Sequence, residues 1–160
     1  MEIFKAIAKK DKELVAEFIE MKNCNINKVN DFHSNLLMTS IFEGAGDISL
    51  YLIDKGINLS YQNQNGETVL HYLTHYYDEN VLLKVLEKGI DVNISDKYGN
   101  IPLWYAIHND KGFGTRNEMI KLLVHYGSDI NHLNNVNKSV IQMAKNRGYP
   151  NVIEILEKTT

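Results

Sequence analysis

Cysteine occurs once in this chain, as Cys24, and proline twice, as Pro102 and Pro150. A single thiol excludes an intramolecular disulfide and any multi-cysteine metal site, and it is compatible with a reducing compartment. A basic run is also missing: 17 lysine and arginine residues stand against 20 aspartate and glutamate, a formal net charge of −3. That balance lacks the electrostatic footprint that nucleic-acid binding needs. No apolar run approaches the roughly 20 residues that cross a bilayer, and residues 1–12 lack the apolar core of a signal peptide. A cytoplasmic protein without a membrane or nucleic-acid partner is the expectation. The pair Gly112 and Gly114 lacks the preceding strand, third glycine and lysine of a phosphate-cradling loop.

What is present is a pattern. With 160 residues and 44% apolar composition, the chain suits one globular domain. Its most regular stretch runs from Asn65 to Asp96. Asn65-Gly66 is a tight-turn signal, because glycine accepts positive φ without steric cost and asparagine tolerates it. Leu70, Leu73 and Thr74 then fall on one helix face, with Thr68 placed as N-cap and His71 in the first turn, where hydroxyl and imidazole can bond each other. Asp78-Glu79-Asn80 puts acidic residues at the start of a second helix, where the dipole favours them, and Val81, Leu82, Val85 and Leu86 form its apolar face. Gly89 supplies the left-handed residue that ends it.

This turn-helix-helix unit recurs. The Leu70 position returns as Leu37, Leu103 and Ile141, at spacings of 33, 33 and 38. Gly89 returns as Gly56 and Gly127, and Asn93 as Asn27, Ser60 and Asn131. The second-helix pairs Ile48 with Leu52, Val81 with Val85, Met119 with Leu123 and Val152 with Leu156 keep step. Such a unit cannot bury its apolar side alone, so neighbours must stack into an elongated solenoid with a continuous core.

GETVLH (66–71), GNIPLW (99–104), GIDVN (89–93) and GSDIN (127–131) resemble the G-x-TPLH and GADVN segments of the ankyrin repeat. The resemblance covers about five units, divided near 1–30, 31–62, 63–95, 96–133 and 134–160. It implies an all-α solenoid of stacked helix-turn-helix units with short β-turn tips. Only the third unit keeps both threonine and histidine. The threonine column reads Asn35, Thr68, Ile101 and Ser139, and the histidine column Met38, His71, Trp104 and Gln142. Trp104 is expected to pack rather than bind.

Ankyrin repeats grip partners with turn tips and the concave row of first helices. Carried over by column, and adding the inserted loop, the residues expected to meet a protein partner are Phe32, Phe42, Glu67, His75, Tyr76, Tyr98, Asn100, His108, Phe113 and Arg147. Phe113 lies in the main irregularity, five extra residues around 110–116, where two glycines flank it and suggest a flexible loop with an aromatic tip. The first unit, with Lys5, Lys9, Lys10 and Glu17 outward, reads as a cap. In the last, Glu157 replaces the apolar Ile53, Leu86 and Val124 of earlier copies.

A non-enzymatic binding module without cofactor or metal, monomeric when free, is therefore expected. An inhibitor or immunity-type protein that blocks a toxin or enzyme is the sharper form, with scaffold or host-directed effector as the alternative. Abundant lysine and asparagine suggest an AT-rich, bacterial genome. An enzyme reading would need His71 and His75 as metal ligands at i, i+4, but residue 72 is tyrosine where a zinc hydrolase places glutamate, and a third ligand is missing. Cys24 as a nucleophile would need a histidine brought from a distance.

Overall fold

The computed structural model describes residues 2–158, which form ten helices and no strand. The helices come in consecutive pairs: α1 (Glu2–Ala8) with α2 (Lys12–Glu20), α3 (Leu36–Phe42) with α4 (Gly46–Asp54), α5 (Val69–His75) with α6 (Glu79–Glu87), α7 (Pro102–Asp110) with α8 (Asn117–His125), and α9 (Val140–Arg147) with α10 (Pro150–Glu157). Each packs on its partner, and the first members pack in file, α1 on α3, α3 on α5, α5 on α7 and α7 on α9. This is the all-α solenoid that the period implies.

The apolar columns meet as the spacing requires. Leu37, Leu70 and Leu103 are fully buried, as are all eight residues of the second-helix pairs. Burying each such side chain contributes about 1.5–3 kcal/mol relative to leaving it in water. Ile141, in the last pair, is half-buried, and Glu157 is exposed. Trp104 is half-buried and packs against the core.

Helix ends follow local chemistry. Asp11, Asn35 and Asp78 accept from the backbone N–H three residues on, at 2.9, 2.9 and 3.1 Å. Ile101 has no capping side chain, and Pro102 at the first helical position needs none for its own missing N–H. Gly89 has φ +72° and donates its N–H to Leu86 O at 2.9 Å, which ends α6. A Cβ added to Gly89 would meet nothing within 4 Å, so its requirement is one of dihedral angle rather than space.

The exit loops carry a clamp between neighbours. Asn27 Oδ1 accepts from Asn58 N at 2.8 Å. One period further on twice, Asn93 Oδ1 accepts from Asp129 N at 2.8 Å while its Nδ2 donates to Gly127 O at 2.9 Å. The intervening copy has Ser60, whose shorter side chain makes no such bond to the next loop among the described residues.

Two outcomes are expected from urea unfolding. Gly89→Val, which forces a β-branched residue to positive φ, should cost at least about 1 kcal/mol, and an unchanged midpoint would refute the cap. Ser60→Asn should restore the missing clamp toward Asp91 N and add about 0.5–1.5 kcal/mol.

Candidate partner-binding surface

Four hairpin tips precede the first-row helices, each shaped by one side-chain oxygen. Asn30 Oδ1 accepts from Phe32 N and Ser34 N, both at 3.0 Å. Asn63 Oδ1 does the same for Asn65 N and Glu67 N at 2.9 and 3.0 Å. Asp96 Oδ1 takes Tyr98 N and Asn100 N, both at 2.9 Å, and Asn134 Oδ1 takes Val136 N and Lys138 N at 3.2 and 3.1 Å. These four recur at spacings of 33, 33 and 38, the period of the apolar columns. The signal was present in the sequence, disguised as ordinary turn composition.

Neighbouring tips are joined by backbone. Lys97 N donates to Asn65 O at 2.8 Å, and Asn135 N to Tyr98 O at 3.0 Å. That approach demands glycine: a Cβ on Gly99 would stand 2.8 Å from the Asn135 backbone nitrogen, and one on Gly66 3.0 Å from that of Lys97. The Asn30 hairpin has His33 at the same place, held at φ +57°. Among the described residues the Asn30 and Asn63 hairpins make no equivalent bond. Instead Tyr61 donates its hydroxyl to His33 O at 2.9 Å. Phe32, on that tip, is left 85% exposed.

Beneath the tips lies a buried polar network. Thr68 N donates to His71 Nδ1 at 3.0 Å, which fixes the proton on Nε2, from where it is donated to Asn100 O at 3.1 Å. Burial pushes the His71 pKa down. Tyr105 donates to Asp96 Oδ2 at 2.6 Å, and burial together with this bond pushes its pKa up to about 12. Asn100, expected to meet a partner, is only 8% exposed. Its side chain donates to Tyr105 OH at 3.2 Å and accepts from Asn134 Nδ2 at 2.9 Å, so it joins two hairpins instead of facing a partner. His71 is 1% exposed with both ring nitrogens engaged, which leaves the His71–His75 metal pair without its first ligand.

The remaining candidates are on the surface, and several touch. Phe42 and Tyr76 meet edge to face with centroids 5.1 Å apart. His75 Nδ1 lies 3.3 Å from Asn109 Nδ2 and its ring 5.8 Å from that of Tyr105. His108 is exposed on α7, and Arg147 is exposed in the last turn of α9. The His108 pKa is depressed, by desolvation first and then by Arg147, Lys111 and His75. Glu67 is half-buried, its carboxylate accepting from Asn63 Nδ2 at 2.7 Å. Tyr98 stands on the Asp96 tip with the Lys97 ammonium 5.0 Å from its ring centre.

Phe113 is 80% exposed, yet its loop is anchored rather than loose. The buried Asp110 carboxylate accepts from Gly114 N at 3.0 Å, Thr115 Oγ1 at 3.3 Å and Arg116 N at 2.7 Å. The flexible loop expected from its glycines is thus a turn wound around one carboxylate. Asp110 is a residue that sequence reasoning missed.

A family description of three ankyrin repeats matches residues 3–96 and again 59–134. The chain belongs to the ankyrin repeat family. An ankyrin repeat protein of Rickettsia felis is 36% identical over 104 residues, 62% of this chain and 42% of the relative. One of Borreliella burgdorferi is 36% identical over 94 residues, 56% of this chain and 22% of the relative. One of Acanthamoeba polyphaga mimivirus is 31% identical over 134 residues, 81% of this chain and 16% of the relative. The chain spans less than half the length of each. Ankyrin repeats are protein–protein interaction modules, and among the described residues no helix is long and apolar enough to cross a membrane.

The Thr68–His71 cap titrates, whereas its counterpart does not: Gln142 Oε1 accepts from Ser139 N at 3.0 Å in the last pair. A histidine whose pKa is lowered by folding stays neutral where the unfolded chain binds a proton. Its stabilisation is complete above about pH 6.5 and is lost as pH falls below that, by at most about 1.4 kcal/mol per pH unit. His71→Gln should keep the fold and flatten this decline between pH 7 and 5. The depressed His108 is common to both proteins and cancels in the difference. Equal pH slopes for the two in urea titrations would refute the assignment.

Proposed function

We propose that this ankyrin repeat protein acts by occupying a partner protein, as an inhibitor or immunity-type protein does, through its tips and first-helix row. The observation that carries the reading is the distribution of exposed large apolar residues. All but Met21 and Tyr126 of these stand on hairpins, at the ends of first-row helices or on the inserted loop. Scattered apolar residues on a surface need no explanation, whereas their collection on one side of a solenoid favours a contact face. Aromatic residues and arginine are the types that dominate binding energy at interfaces.

The mechanism is rigid display. Phe32 and Tyr98 ride on tips pinned by Asn30 and Asp96, and Phe113 on a turn wound around Asp110. Side chains that are already placed lose little freedom on association, so more of the contact energy appears as affinity. Nothing in this mode calls for a bond to be made or broken in the partner. Obstruction of a partner's own site follows from contact alone.

Tyr76 and Tyr98 are 43% and 57% exposed, so the double Tyr→Ala variant separates contact from folding. It should reduce capture of the partner from source-cell extract by tenfold or more, as hot-spot loss of about 1.4 kcal/mol implies. The melting temperature should fall by no more than about 4 °C. A large loss of melting temperature, or undiminished capture, would overturn the reading.

A further inference from the structure

One hollow on the first-helix row combines aromatic walls with a single charge. Phe42 on α3 and Tyr76, the residue after α5, meet diagonally, edge to face. With Tyr72, His75 and Glu67 they line a hollow of about 290 Å³. Its walls are fixed from the hairpins. The Tyr72 hydroxyl lies 2.7 Å from Ser34 Oγ of the preceding hairpin, and Asn63 Nδ2 donates both to that hydroxyl at 3.4 Å and to Glu67 Oε2 at 2.7 Å. One amide thus ties the carboxylate to the ring.

The charge in this hollow has no counter-ion. Asn109 Nδ2 donates to Thr74 O at 3.1 Å, so it is the NH2 group of that amide, and His75 Nδ1, 3.3 Å away, can only accept from it, as a neutral ring does. Among the described residues neither lysine nor arginine lines the hollow, and Glu67 enters no ion pair. Its Oε2 is taken by Asn63, which leaves Oε1 to face an incoming group. The hollow nearer the N-terminus is different. There Lys5 and Lys28 stand with Asp31 and Glu43 around Phe32, and the charges offset one another.

We propose that the hollow between Phe42, Tyr72, Tyr76 and Glu67 receives an arginine side chain of the partner protein. The inference rests on the reading of this side as the partner-binding face. Aromatic rings attract a cation through their quadrupole. A guanidinium is planar and weakly hydrated, so it can lie on a ring while its N–H groups fork onto a carboxylate. A lysine ammonium, compact and strongly hydrated, meets the carboxylate but gives up more water on entering among the rings. An apolar side chain would fill the same space and strip water from a half-buried carboxylate without replacing it.

Capped Gly-X-Gly peptides test it without knowledge of the natural partner, with X as arginine, its uncharged isostere citrulline, or lysine. Titrated at low salt against isotope-labelled protein and followed by magnetic resonance, the arginine peptide should perturb Phe42, Glu67, Tyr72 and Tyr76. Its own δ-methylene protons should move upfield as they enter the ring currents. It should bind about threefold to tenfold more tightly than the citrulline peptide, and more tightly than the lysine peptide. Glu67→Gln, whose amide oxygen can still accept from Asn63, should abolish the preference for arginine over citrulline, whereas Glu43→Gln should leave it in place. Equal binding of citrulline or lysine, a preference that survives Glu67→Gln or is lost in Glu43→Gln, or an arginine peptide that shows no upfield shift would overturn the proposal. Failure of every peptide to perturb the hollow would also overturn it. The interface reading would then still stand or fall on capture by the Tyr76 and Tyr98 variant, which is measured on the natural partner.

Discussion

A pair of short helices has more apolar surface than it can cover by itself, and every other feature of this chain follows from the need to lay one pair on the next. Stacking by hydrophobic contact alone would leave the units free to slide. Here the slide is prevented at the hairpins, where a single oxygen from Asn30, Asn63, Asp96 or Asn134 holds two N–H groups and presents the tip to its neighbour. Where glycine lets the tips close, backbone joins backbone. The polar network beneath, from Thr68 through His71 to Asn100 and on to Asn134, is satisfied at each step, as buried polar groups must be.

The fold was readable because its signal is repeated. Leu37, Leu70 and Leu103 lie in a column whose burial follows from period alone, and no single copy had to be convincing. The surface was less readable, for three distinct reasons. Asn100 occupies a column that faces outward by analogy, but Tyr105 and Asn134 lie close enough to claim its amide. Asp110 looks like any acidic residue at a helix end, and only its burial shows that the following loop is wound around it. The diagonal contacts between Phe42 and Tyr76 or His75 and Asn109 join different columns of different units, so no reading down one column reveals them.

Degeneracy has local meaning in this chain. Ser139 with Gln142 reproduces the bonding of Thr68 with His71 without a titratable group, and Pro102 starts α7 where neither is available. His33 in the place of glycine is different, because its Cβ occupies the space through which adjoining tips would bond. Tyr61 instead reaches the carbonyl of His33, and Phe32 beside it is exposed.

Two departures from pattern coincide between the second and third units: the tips there lack a direct main-chain bond, and Ser60 stands where Asn27 and Asn93 lace adjoining loops. Cooperativity along a repeat array depends on the coupling at each junction, and at this one side chains carry it: Tyr61 on His33 O, Ser34 with Tyr72, and Lys84 with Asp54. Main-chain lacing is thus traded for side-chain lacing at one seam of the array, where a single substitution such as Tyr61→Phe reaches a bond that elsewhere no side-chain change could remove.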